Sequence, residues 1–424
     1  MKNGSPLYNL AKRLWPLNRS LAGKATNQTL KILKKNLPQL KIKKIRSGTK
    51  VYDWKVPNEW EVKSAKVLDD KKNIIIDYKK NNLHLVSFSK SYNGVLRNKK
   101  FKKKLFFLKN LPNAIPYRTT YYKKDWGFCI SYNDYKKLNK KKYEIKINTS
   151  FKKGNMQYGE LLIKGKIKKE FFFSTNICHP SLANNELSGP VVMNFIAKYL
   201  SKKKNKYSYR FVFIPETIGS IAYLFYNLKK ISKNFLAGFY CVCLGYKKGY
   251  SFLPSKNSNS TANFLALEAL KQTKEKFKKY TWLDRGSDER QYCSPKTGLD
   301  FASLMTAKYG CYDEYHTSLD KLGTVVNSKG LYRGYRLIKN LISCIEEEIF
   351  PISNFIGEPQ MGKRNLYPKI GGGIPDKKIR DLLNIISYCD GQTPSKLIAD
   401  YCKIERNKIN QLLIFLKKKQ IINF

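Results

Sequence analysis

The chain has 424 residues, 42% of them apolar, with 82 Lys and Arg against 31 Asp and Glu and a formal charge of +51. That apolar share fills cores for two or three domains and excludes a disordered tail. No run approaches the roughly 18 uninterrupted apolar residues of a membrane span, and the start, MKNGSPLYNLAKRLWPLNRS, lacks an apolar run with a cleavage site, so no membrane or export segment is expected.

The charge invites a nucleic-acid reading, because Lys and Arg neutralise phosphate. It is spread along the chain rather than gathered, and abundant Lys, Asn and Ile together fit an AT-biased coding sequence; attraction to polyanions is then a side effect. Nine scattered cysteines without a CxxC pair point to buried, reduced thiols and a cytoplasmic location.

Taken in chain order, residues 1–48 open the α/β domain that 146–352 completes, and the first 45 read as helix, with Leu10, Leu14, Leu17 and Leu21 at helical spacing and then TNQTLKILKKNL behind a Thr/Asn cap. Residues 49–145 change to short alternating runs between turns, a β-rich unit. Within it His84, in NNLHLVSF, reads as an ordinary strand position. From about Ile145 to residue 352, strands at IKINTSF, GELLIKGK, FFFSTN, YRFVFIP, FYCVCLG and FASLM alternate with helical stretches. This predicts an α/β class with a mixed, largely parallel sheet flanked by helices. A Gly/Pro-marked linker follows over 353–370. Residues 371–424 then give three helices of winged helix-turn-helix spacing, ending at Phe424 where a wing hairpin would need more residues. Such a module docks a protein partner, dimerises the chain or reads DNA.

Residues 171–197 and 211–228 contain no Lys or Arg, and 281–320 hold seven acids against four bases. Burial accounts for the strands in these windows but not for the polar loops after them. Two of the chain's three histidines lie in such loops, His179 in STNICHPSLANNELSG and His316 in YDEYHTSLD. Histidine is the commonest metal ligand and a base near neutral pH. In sheets of this class functional loops follow the carboxyl ends of strands. His179 follows FFFSTN, Glu216 follows YRFVFIP and Tyr246 follows FYCVCLG.

The phrases CHPSLANNELSG, PETIGSIAYL, the CLGY strand end, DRGSDERQYCSP and EYHTSLD, with RSGTKVYDWKVPNEW, PYRTTYYKKDWGFC and EPQMGKRNLYP, resemble an uncharacterised bacterial family. Its members join an aminopeptidase-like domain to a β-rich insertion and a C-terminal winged helix. The aminopeptidase-like domain is similar to co-catalytic dizinc exopeptidases. The resemblance implies His179 and His316 as metal ligands and Glu216 as general base. Asn185 stands where the bridging Asp is expected, Thr217 where the second Glu is expected, and Tyr246 where the further Asp is expected.

Three outcomes stay open: a dizinc site, one zinc ion held by His179, His316 and a recruited carboxylate, or a site without metal that only binds a ligand. Glu186, Asp288, Asp313 and Glu314 are candidate carboxylates, with Asp288 first because GSDE falls on a Ser-Asp phrase of the relatives. Asn185, Thr217, Tyr246, Glu289 and Arg290 are candidate ligand contacts. The expected activity is hydrolysis of a small peptide, aminoacyl or acyl-amino substrate; the rival is an inactive scaffold or regulator acting through the winged helix. A homo-oligomer is compatible with either.

Overall fold

A computed structural model describes residues 3–366 and 377–424. Helices α1 (Ser5–Leu14) and α2 (Lys24–Asn36) open the chain. The helical spacing predicted through Leu21 stops at Leu14 because Pro16 cannot donate to the next turn and restricts Trp15. Lys41–Arg46, read as helix, is instead strand β1 at the edge of the main sheet, where its lysines discourage further pairing.

A four-stranded antiparallel sheet follows, from β2 (Glu59–Leu68), β3 (Ile74–Asp77), β4 (Tyr92–Arg97) and β5 (Lys142–Lys152), in the order β3-β2-β5-β4. The IKINTSF strand belongs here, paired to β2 and β4, so the expected boundary at 145/146 falls inside a strand. Alternation alone cannot tell which of two sheets a strand joins. Trp60, Phe101, Phe128 and Ile145 fill this unit's core. His84 lies on a single 3₁₀ turn, not a strand, with its Nδ1 2.8 Å from the Cys129 carbonyl.

The main sheet is completed by β6 (Asn155–Ile163), β7 (Glu170–Asn176), β8 (Ser208–Ile214), β9 (Phe235–Tyr240), β10 (Ser251–Leu253), β11 (Lys278–Lys279) and β12 (Phe301–Met305). Its order is β1-β6-β8-β7-β9-β12-β10-β11. The central strands β8, β7, β9 and β12 are mutually parallel, so the loops after them leave one edge. Helices α3 (Ser188–Leu200), α5 (Thr261–Lys271) and α6 (Ser328–Glu347) join α1 and α2 on one face, and α4 (Ile218–Ser232) covers the other. In the Phe171–Phe173 run, Phe171 and Phe173 pack on the first face and Phe172 on the second. A central strand covered on both sides has no place for Lys, which accounts for the strand part of the lysine-free window. At Gly189 any Cβ would run into the Thr175 hydroxyl and the Cys241 carbonyl, so only glycine lets α3 approach the strand ends.

Helices α7 (Lys377–Ser387), α8 (Ser395–Tyr401) and α9 (Arg406–Lys418) pack around Leu382, Ile398 and Leu413. No extra hairpin is needed: Ile422–Asn423 pairs antiparallel with Ile352–Ser353, residues that precede the helices. Met361, within the expected linker, is buried in the same core, so 353–366 is partly built into the module. The expected passage at 370/371 lies outside the described residues. Arg406 ties α9 to Glu268 of α5 at 3.0 Å. Among the described residues no helix is long and apolar enough to cross a membrane. All nine cysteines are unpaired and most are buried.

Candidate functional site

The parallel strands deliver their loops to one cavity of about 440 Å³ at the carboxyl edge, lined by Cys178, His179, Glu216, Thr217 and His316. The rings of His179 and His316, 137 positions apart in the chain, lie 5.3 Å apart between centroids. Glu216 Oε2 is 3.6 Å from His179 Nε2. The three residues singled out in the sequence therefore share one space.

Each is held by a specific support. The π-helical turn Ala183–Leu187 brings Glu186 onto His179 Nδ1, which leaves Nε2 towards Glu216. Among the described residues, ligand atoms of Cys178, His179 and Glu186 lie within 4.8 Å of one another. Buried Arg19 donates to the His179 carbonyl at 3.0 Å and to the Leu14 carbonyl at 2.8 Å, fixing the loop to α1. Asp320 accepts the backbone N–H of Asn184 (2.7 Å) and Asn185 (3.1 Å) and the Tyr312 hydroxyl (3.0 Å). The Asn184 side chain accepts from the Gly245 N–H at 2.9 Å, locking the turn to the strand end after β9. The Ser287 hydroxyl donates to Glu216 Oε1, and is itself 2.6 Å from the Tyr240 hydroxyl.

The remaining candidates scatter around this centre. The Asn185 amide is 3.4 Å from His316 Nε2. Thr217 lines the cavity at φ +63°, ψ −81°, close to a strained γ-turn geometry. Asp288 does not face the cavity: it is fully buried and its Oδ1 accepts the Thr217 N–H at 2.7 Å. Glu289 is likewise buried, accepting from Gly286, Ser287 and Tyr309. Exposed Arg290 reaches the Thr217 hydroxyl at 3.3 Å. Tyr246 stands two rings away from His316, against Tyr312, which meets Tyr315, which stacks on His316.

Burial opposes a charge on His179, but Glu186 and Glu216 outweigh it and raise its pKa. His316 goes the other way, well below the usual range, through burial and then the neighbouring His179. Burial raises the Glu216 carboxyl. Asp288 rises well above the carboxylate range, first by burial and then through Glu216.

The aromatic wording of the β-rich unit suggests a wall or lid over the pocket from its position alone, without naming a residue, and the structure supplies the residues. Tyr117, from PYRTTYY, sets its ring 4.9 Å from that of His179 and 5.2 Å from that of His316. Its N–H donates to the His316 carbonyl at 2.7 Å, which holds a residue whose φ is +54°. Ser87, Phe88, Tyr121 and Tyr122 of the same unit line the cavity. The phrase was visible in the sequence, but nothing local in it points at a histidine two hundred residues away.

Residues 8–348 match a domain of unknown function, DUF4910. The chain belongs to the DUF4910 family. Its residues 351–423 match a winged helix-turn-helix family. The chain is 39% identical over 373 residues to a Clostridium acetobutylicum protein named as a candidate polysaccharide biosynthesis protein with an aminopeptidase-like domain, covering 88% of this chain and 85% of that one. A crystal structure of a candidate peptidase from Clostridium acetobutylicum superposes with a TM-score of 0.82 at 35% identity, over 99% of this chain and 96% of that one. A zinc aminopeptidase from Bacillus subtilis aligns with a TM-score of 0.58 at 14% identity, over 80% and 94%. This DUF4910 chain thus has the aminopeptidase-like α/β fold with a C-terminal winged helix.

Proposed function

We propose that this DUF4910 chain is a metal-dependent hydrolase of small peptide, aminoacyl or acyl-amino substrates, with a metal site reduced from the dizinc form. The convergence of His179, His316 and Glu216 in one cavity carries this reading. The name of its Clostridium relative adds the substrates of polysaccharide biosynthesis to the classes worth testing.

The donor set does not suit two zinc ions. Asn185, Thr217 and Tyr246 provide no carboxylate, and without an anionic bridge two dipositive ions repel each other. One ion suits it better. His179 has its Nδ1 bonded to a carboxylate, the usual support of a zinc-bound imidazole. Burial and His179 lower the His316 pKa, which favours the neutral ring that a ligand imidazole needs, whereas Glu186 and Glu216 raise that of His179. His179 and His316 would hold the ion, which when bound supplies Lewis acidity at the scissile carbonyl. Asp288, committed to the Thr217 amide, supports the loop in this reading rather than ligating.

Glu216 takes the proton of the attacking water and returns it to the leaving amine, a task favoured by a carboxyl that burial raises. Ser287 fixes Oε1 so that Oε2 faces the cavity. In this reading Thr217, which lines the cavity, contacts the substrate, with Asn185 beside His316 and Arg290 beside Thr217 supporting it. With all nine thiols unpaired, a reducing, cytoplasmic setting fits the reading.

Metal analysis of untagged, zinc-loaded protein is the first test; a protein that retains no metal would sink the catalytic reading. With metal present, Glu216→Gln should lower turnover of aminoacyl and N-acyl amine probes by about 10²–10⁴-fold while metal content stays unchanged. The three absent carboxylates favour one alternative, a ligand-binding regulator whose output is the winged helix. Sequence-selective DNA binding or capture of a defined protein partner, lost on deleting residues 370–424, would favour that alternative.

A further inference from the structure

A second cavity of about 600 Å³ lies beside the first and shares Trp54 with it. Its walls are Tyr52 and Trp54, from the short hairpin Lys50–Val51/Trp54–Lys55, together with Ile221, Leu224 and Leu228 of α4 and Pro295. Tyr52 is 53% exposed and leans edge-on against Phe225, itself 44% exposed, with centroids 5.2 Å apart. Trp54 meets Tyr122, which lines the catalytic cavity, at 6.2 Å.

The apolar wall has a direction. Ile218 lines the catalytic cavity two residues after Glu216, and Ile221, Leu224 and Leu228 continue from it at three- and four-residue steps. On a helix these steps share one face. Ten residues at helical rise carry that stripe about 15 Å outward from the catalytic edge. Such a stripe is more often plain core, and Ile221 and Leu224 do pack inward. Here, however, Ile221 and Leu224 are packed to 7% and 3% exposure, and the groove opens along half-buried Leu228 between Tyr52, Trp54 and Pro295.

We propose that this groove is a substrate subsite for an apolar tail, an alkyl chain or a run of leucine-like side chains, whose acyl-amino head sits in the catalytic cavity. The proposal rests on the hydrolase reading for the head group alone. Leu228 and Tyr52 determine tail binding; they take no part in the chemistry at Glu216.

Binding to the full chain is measured calorimetrically with N-acetylglycine, N-decanoylglycine and N-acetyl-trileucine. The decanoyl or the trileucine compound should bind at least about tenfold more tightly than the acetyl compound, given the apolar area buried. Which of the two gains identifies the tail as alkyl or peptide. Leu228→Asp and Tyr52→Ala should each erase the gain; Tyr52, being exposed, keeps the test open if Leu228→Asp fails to fold. Equal affinity for all three compounds overturns the proposal, as does a gain that survives both substitutions. A dimer in light scattering that Leu228→Asp breaks would also overturn it, because a second copy would then be the occupant. The readout is affinity, so it stands apart from the Glu216→Gln test: lost turnover without a tail preference defeats only the subsite, and a tail preference without turnover defeats only the chemistry.

Discussion

Strand β8 carries two buried charge clusters of opposite character. In its middle, Arg210 donates to Glu170 Oε2 at 2.8 Å and to Glu160 Oε1 at 2.5 Å, with Tyr223 and Lys43 also on Glu160. Just past its end, Glu216 shares its surroundings with Glu186, Asp288 and Glu289. There Asp288 Oδ2 and Glu289 Oε2 are buried without a hydrogen-bond partner. The first cluster balances acids with cations and satisfies its donors, which makes it part of the scaffold. The second sets several acids against His179 and a peripheral Arg290, with a strained Thr217 at a cavity, the pattern expected where pKa values are tuned for a task. Two neighbouring sets of buried carboxylates are thus told apart by whether their charge is answered.

The comparison breaks most visibly at Arg210. Arg210→Ala strands Glu160 and Glu170 without their shared cation, and should cost about 3–5 kcal/mol in urea unfolding. Loss of a similar size in the Glu216→Gln protein would mean that the second cluster is scaffold as well. Next comes pH. Burial raises Asp320, beside the cavity, from an ordinary 3.8 to about 6. Between those values the native state holds a proton that the unfolded chain has lost, so this residue's contribution to stability grows as pH falls from 6 towards 4, by up to about 3 kcal/mol.

Glu160 has the opposite sign: burial pushes it up, but Lys43, Tyr223 and Arg210 outweigh that and hold it below its ordinary 4.5. Its contribution is complete above that value and is lost as pH falls below it. Asp320→Asn should flatten the slope between pH 4 and 6, and Glu160→Gln the acid limb below it; thermal melts across pH read both. The smallest effect is Thr217→Gly. Relieving the γ-turn geometry should raise the unfolding free energy by roughly 1 kcal/mol, and a loss of stability instead would remove strain from the comparison.

Much of the site was legible because scarcity and wording marked it. Three histidines in 424 residues make two in polar loops conspicuous, and the sheet rule puts Glu216 in a loop at the same edge, while its reading as a base comes from the family resemblance. The fold class was legible in the same way, since strand and helix periods alternate plainly from GELLIKGK to FASLM. The strand IKINTSF was assigned to the wrong sheet because period 2 reports that a strand exists, not which partner it takes. Arg210 passed as one polar residue at the start of an apolar run, since its partners Glu160 and Glu170 lie on neighbouring strands.

By itself, then, the sequence determined the α/β architecture and the terminal helical module and marked His179, Glu216 and His316 as candidates, because periodicity and residue chemistry are local properties. Only the tertiary structure decided that Glu186 supports His179, that Asp288 turns away to hold Thr217, and that Tyr117 of the β-rich unit closes on both histidines. Those are contacts between segments far apart in the chain, and no local pattern encodes which distant partner a side chain will meet.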